Sequence, residues 1–119
     1  MFDALGVSPD LSEVLAAQGI TDPFPIQALT IPDAIAGRDV CGKAKTGSGK
    51  TLAFGLPIIE RTEPSNPGRP RALVLVPTRE LCVQVSEVLG PLATARGLRM
   101  ATVYGGASSV RQVLATMIG

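Results

Sequence analysis

Apolar residues follow two alternating kinds of pattern along this chain. Between Ser8 and Gly19, Leu11, Val14 and Leu15 recur at helical spacing. Ser8 offers an N-cap, Pro9 needs no N–H at the first helical position, Asp10 places a carboxylate in the first turn, and Gly19 is the stop. A second helix is predicted over residues 25–36, with Ile26, Leu29 and Ile35 inward and Pro32 bending or dividing it. Gly37-Arg38-Asp39 turns into a short strand at 40–43, and helix resumes from about Gly49 through Thr51 to Arg61. Residues 62–71 contain three prolines and a glycine and read as a surface loop.

The pattern then changes period. Ala72-Leu73-Val74-Leu75-Val76 is a continuous apolar run bounded by turn residues, the signature of a strand covered on both faces. Leu81, Val85, Val88, Leu89 and Leu92 return to helical spacing up to Gly97, and Gly90-Pro91 is a place where that helix can kink or split. Residues 100–104 read as a third strand, Gly105-Gly106 as a turn and 109–117 as a last helix. This alternation predicts an α/β domain: a parallel sheet with flanking helices and right-handed crossovers. No internal repeat or low-complexity tract interrupts it.

Composition narrows the picture. The 119 residues make one domain or part of one, and with 45% apolar but only 3% aromatic residues the core must be aliphatic. A net charge of +1 argues neither for nor against a nucleic-acid partner; a protein that binds only through a broad cationic surface would be more basic, so any contact with a polyanion must be local. The absence of histidine excludes His-dependent catalysis and Cys/His metal sites within these residues. Cys41 and Cys82 both fall in apolar, patterned segments and are expected to be buried free thiols. The N-terminus has no basic-then-apolar leader and no apolar run approaches ~20 residues, so a soluble cytoplasmic protein without a membrane partner is expected.

Candidate chemistry concentrates in Ala44-Lys45-Thr46-Gly47-Ser48-Gly49-Lys50-Thr51. Read against G-x-x-x-x-G-K-[ST], it matches at Gly49, Lys50 and Thr51, with Ala44 in place of the first glycine. Gly47 and Gly49 permit backbone angles that aim consecutive N–H groups, those of Thr46 to Gly49 among them, into one concavity around phosphate oxygens. Lys50 brings a mobile positive charge to the β- and γ-phosphates, and the Thr51 hydroxyl suits the Mg²⁺ that bridges them. The positive end of the following helix adds to the same site. Nucleoside triphosphate binding is the expected chemistry; a glycine-rich turn before a helix is the plainer alternative.

Three further segments carry a resemblance. Gly19-Ile20-Thr21-Asp22-Pro23-Phe24-Pro25-Ile26-Gln27 resembles the Q motif of DEAD-box RNA helicases, the phosphate loop their motif I, Pro77-Thr78-Arg79-Glu80-Leu81-Cys82-Val83-Gln84 their motif Ia, and Gly105-Gly106 their glycine doublet. The resemblance spans residues 1–119 and implies the N-terminal part of the first RecA-like (P-loop NTPase) domain of an ATP-dependent RNA helicase. It implies ATP and Mg²⁺ as ligands and the RNA sugar–phosphate backbone as partner. Gln27 then reads the N6/N7 edge of adenine with its amide, where alone it is an ordinary polar helix residue. Phe2 takes the place of an adenine-stacking aromatic, or simply anchors the core. Pro77, Thr78, Arg79, Gly105 and Gly106 are implied to lie along RNA phosphates through exposed N–H groups. For Thr78 and Glu80 helix capping is the alternative, and for Gly105-Gly106 turn geometry.

The sequence departs from the family pattern at named places. Ile20 stands for an aromatic, Phe24 for a small hydroxyl residue and Cys82 for an alanine. The Asp-Glu-Ala-Asp string does not occur in the 119 residues. The expectation is therefore ground-state nucleotide binding without turnover by this piece alone, with Lys50 as the one catalytic group present. Two rivals stand beside it: a non-catalytic nucleotide- or RNA-binding module, and a related helicase-like ATPase of the same superfamily acting on DNA.

Overall fold

Pro9 sits at the start of the first long helix because it lacks the N–H that a helix start leaves unpaired. In the computed structural model, which describes residues 2–44, 49–63, 71–103 and 115–118, that helix is α1, Pro9–Ala17. The chain divides into two units, Met1–Arg61 and Thr62–Gly119. The first holds a 3₁₀ turn at Phe2–Leu5, α1, α2 (Pro25–Ile35) and α3 (Lys50–Arg61). Phe2, Val7, Leu11, Leu15, Ile31, Leu52, Leu56 and Ile59 are all buried in it. Ser8 closes the start of α1 differently from the cap its sequence promises. Its hydroxyl donates to Asp10 Oδ1 (2.5 Å) and its N–H donates to Glu60 Oε1, tying α1 to the end of α3.

Helix α2 runs unbroken through Pro32, whose ring is exposed, so the proline neither divides the helix nor disturbs the packed face. Its inward face is Gln27 and Ile31, one turn apart, while Leu29, expected inward, is 74% exposed. Gln27 takes the inward position because both ends of its amide find partners there. Helix α3 likewise passes through Pro57, and the helix Arg79–Ala95 of the second unit through Pro91, without a break.

The strand expected at 40–43 does not form. Those residues are exposed, Val40 at 43% and Cys41 with them, so the expectation of a buried thiol holds for Cys82 alone. A strand needs a partner ladder, and among the described residues the first unit contains only helices.

The second unit places α4 (Arg79–Ala95) against a three-stranded sheet of order β1-β3-β2, with β1 Ala72–Leu75, β2 Met100–Val103 and β3 Ala115–Ile118. β1 and β2 run the same way, as a parallel arrangement requires, but each is bonded to an antiparallel β3 between them. Ala72 and Met100 both lie opposite Ile118, and Leu75 and Val103 both lie opposite Ala115. The helix expected over 109–117 is thus corrected at 115–117. Two open strand edges offer Ala115–Ile118 partners on both sides, and that pairing outweighs local helix propensity; residues 109–114 lie outside the described ones.

The sheet is covered on one face. Val74 and Ile118 are buried, and Ser86 Oγ on α4 meets Thr102 Oγ1 at 2.5 Å. Leu73 and Leu75, expected under a second layer, are 59% and 68% exposed because α4 packs on only one side.

Candidate functional site

Gly49 is the pivot of the first unit. Its φ is +83°, the left-handed region that favours glycine, and its carbonyl accepts the first helical hydrogen bond of α3 from Ala53 N–H (3.1 Å). The same carbonyl accepts a second bond, from Gln27 Nε2 (3.1 Å). Gln27 Oε1 in turn accepts the N–H of Phe24 (2.7 Å), the N-cap residue of α2. One amide, only 2% exposed, therefore ties the start of α2 to the start of α3 across 22 residues of sequence.

This is half of a capping box. In the full motif an N-cap hydroxyl bonds back to the N–H of the third helical residue. Phe24 has no oxygen to return that bond, and its ring, 51% exposed, lies against Gly49 instead. A Cβ placed on Gly49 would overlap Gln27 Nε2 and come within 2.7 Å of Phe24 Cδ2.

Immediately after this pivot, Lys50 is exposed at the first position of α3 and Thr51 is half-buried beside it. The first turn of α3 contains no acidic residue, so the positive helix end and the Lys50 ammonium reinforce each other. That juxtaposition is unfavourable for the helix alone and favourable for an anion. It is the kind of local rule-breaking that marks functional positions.

The structure brings Gln27, Gly49, Lys50 and Thr51 into one neighbourhood. Thr46, Gly47, Ser48, Gly105 and Gly106 lie outside the described residues. Phe2 is 3% exposed and buried in the core of the first unit, next to α1 and α2. Its ring packs in that core.

In the second unit Pro77, Thr78 and Arg79 are exposed where β1 gives way to α4. Thr78 is the N-cap, and its Oγ1 accepts the N–H of Leu81 (3.1 Å). Sequence reasoning treated Phe24 only as a lost hydroxyl and missed its contact with Gly49. Counting helical positions reveals part of the signal, since an N-cap residue followed three places later by Gln27 is capping-box spacing.

A DEAD/DEAH box helicase model matches residues 24–117. The ATP-dependent RNA helicase CshA of Limosilactobacillus reuteri is 45% identical over 112 residues, covering 94% of this chain and 22% of its own. Among solved structures, the RNA helicase Prp28 from Chaetomium thermophilum bound to ADP is similar with a TM-score of 0.76 and 39% identity. That match covers 87% of this chain and 26% of Prp28. S. cerevisiae Dbp5 bound to RNA and ADP BeF3 gives a TM-score of 0.72 at 32% identity, over 79% of this chain and 24% of Dbp5. The fold class expected from the sequence, a partial RecA-like α/β domain, is that of these neighbours. The chain spans about a quarter of the length of the curated relatives it matches, 22% to 27%.

Proposed function

The chain belongs to the DEAD/DEAH box helicase family, and on that premise we propose that residues 1–119 are the ATP-binding part of an ATP-dependent RNA helicase. The observation that carries this reading is the double acceptor at Gly49. A buried amide from the Q-motif helix fixes the carbonyl that starts α3, one residue before Lys50, in a first turn that holds no acidic residue. A Gly49 carbonyl fixed in this way holds the start of α3 in place, so its ordering adds no cost when a triphosphate binds.

In this reading Lys50 meets the β- and γ-phosphates, with the amides of Thr46, Gly47, Ser48 and Gly49 around them. Gln27 still has one N–H and one lone pair unused, a pair that matches the N6/N7 edge of adenine. Mg²⁺ fits the oxygen chemistry present: the Thr51 hydroxyl, half-buried one residue beyond Lys50, is its ligand from this chain. When bound, the ion neutralises phosphate charge. The RNA backbone is assigned to Pro77, Thr78, Arg79, Gly105 and Gly106. Thr78 Oγ1 spends its acceptor role on Leu81 N–H and keeps its hydroxyl proton for a phosphate.

In this reading the protein works in the cytoplasm. Among the described residues no helix is long and apolar enough to cross a membrane.

Duplex unwinding belongs to the complete protein. The 119 residues bind ATP and release no phosphate, because they contain groups for the ground state only. The test is competition for a fluorescent ATP analogue together with a phosphate-release assay. ATP should displace the analogue at least ~10-fold more effectively than GTP, a preference worth ~1.4 kcal/mol, with phosphate at background. Equal displacement by both nucleotides would remove the adenine assignment, and Lys50-dependent phosphate release would remove the claim of binding without turnover.

A further inference from the structure

Phe24 is the residue of this site that the motif pattern leaves unexplained. It stands at an N-cap, a position that favours a side-chain oxygen, and it makes no side-chain cap bond. It is also among the most exposed large apolar side chains of the first unit, at 51%. Both features are costs to the helix and to solvation, and neither is offset within α2 itself. The offsetting neighbour is Gly49, 25 places later, on which a Cβ would come within 2.7 Å of Phe24 Cδ2. The same residue receives the Gln27 amide.

We propose that Phe24 is a positioning residue for the phosphate-binding turn. Its ring packs on Gly49 from one side while Gln27 bonds the Gly49 carbonyl from another, so the left-handed backbone at Gly49 is held from two directions. The ring also screens the Gln27–Gly49 hydrogen bond from water, where competition would weaken it. An apolar contact thereby replaces the hydroxyl that a capping box uses. The assignment rests on the reading of residues 44–51 as a triphosphate seat. It predicts that the phosphate tail feels the loss of the ring, whatever base is attached.

The experiment is calorimetric titration of the 119-residue chain with MgATP and, separately, with inorganic pyrophosphate. Four forms are compared: the unsubstituted chain, Phe24→Ala, Phe24→Leu and Phe24→Thr. Phe24→Ala should weaken both ligands by the same factor, about 10-fold, equivalent to ~1.4 kcal/mol. Phe24→Leu, which restores apolar bulk over Gly49, should recover most of that loss. Phe24→Thr supplies the missing cap oxygen and should raise the unfolding midpoint above that of Phe24→Ala, yet bind both ligands as weakly as Phe24→Ala does. Amide exchange at Ala53, whose N–H bonds Gly49 O, should accelerate in the Ala and Thr forms and not in the Leu form.

Unchanged affinities in Phe24→Ala overturn the proposal. So does a loss confined to MgATP, which would make the ring a base-stacking surface, and so does full recovery by Phe24→Thr, which would make it a helix cap. If Phe24→Ala fails to fold, the comparison of the Leu and Thr forms decides alone. Binding of neither ligand by the unsubstituted chain would instead refute the triphosphate reading itself.

Discussion

Replacing Gly49 with alanine perturbs the site where its geometry is most constrained. At φ +83° an added Cβ costs ~1–2 kcal/mol in the backbone alone. The same Cβ overlaps Gln27 Nε2 and lies 2.7 Å from Phe24 Cδ2, so the amide must move away. Losing the Gln27–Gly49 bond costs ~1 kcal/mol, and leaving a buried amide unsatisfied costs ~1–3 kcal/mol more. The total of ~3–6 kcal/mol compares with ~5–15 kcal/mol for the whole stability of a domain. The Ala form should therefore either unfold at a much lower denaturant concentration or fold with the first turn of α3 released. Urea unfolding followed by circular dichroism gives the first quantity, and amide exchange at Ala53 gives the second. Gly49→Asn separates the two contributions, because asparagine tolerates the left-handed region but keeps the overlap. An Ala form with unchanged unfolding midpoint and unchanged Ala53 protection would refute the view that Gly49 is pinned between Phe24 and Gln27.

Two other perturbations test neighbouring parts of the account. Gln27→Ala removes the amide that joins α2 to α3 and should lower stability by ~2–4 kcal/mol, as two lost hydrogen bonds and a small cavity dictate. The same variant should weaken ATP more than pyrophosphate; equal losses would show that Gln27 does not touch the base. Thr78→Ala deletes the α4 cap to Leu81 and should cost ~1 kcal/mol in denaturant unfolding, recovered by Thr78→Ser but not by Thr78→Val. If Thr78→Val is as stable as the natural residue, the hydroxyl is not capping the helix.

The helices were legible in the sequence because local signals bound them. Pro9 and Gly19 bracket α1, whose last turn closes at Gly19 with φ +79°, and Pro25 opens α2 as expected. The strands at 72–75 and 100–103 followed from apolar runs between turn residues. What sequence reasoning missed depends on partners. Residues 40–43 lost an expected strand and residues 115–117 formed one where a helix was expected, because strand formation requires an edge to pair with, which among the described residues the second unit offers and the first does not. Leu29 was read as inward from helical spacing alone, yet the packed face is set by Gln27, a polar residue that periodicity places outside. Gln27, Gly49 and Lys50 were named together from their motifs, and the structure brings them into one neighbourhood. The Phe24 contact was not, because it joins an N-cap to a turn 25 residues away. Phe2, open between stacking and packing in the sequence, is buried by the 3₁₀ turn that carries it.

The central claim is that the turn before α3 seats the phosphates of ATP and that Lys50 supplies the charge. Calorimetric titration of MgATP into the 119-residue chain and its Lys50→Ala form tests this most directly. Saturable uptake near one nucleotide per chain, weakened by ~100-fold or more without Lys50, equivalent to ~2.7 kcal/mol, is the result predicted. No uptake by a chain whose circular dichroism shows it folded, or equal affinity in the two forms, would contradict it.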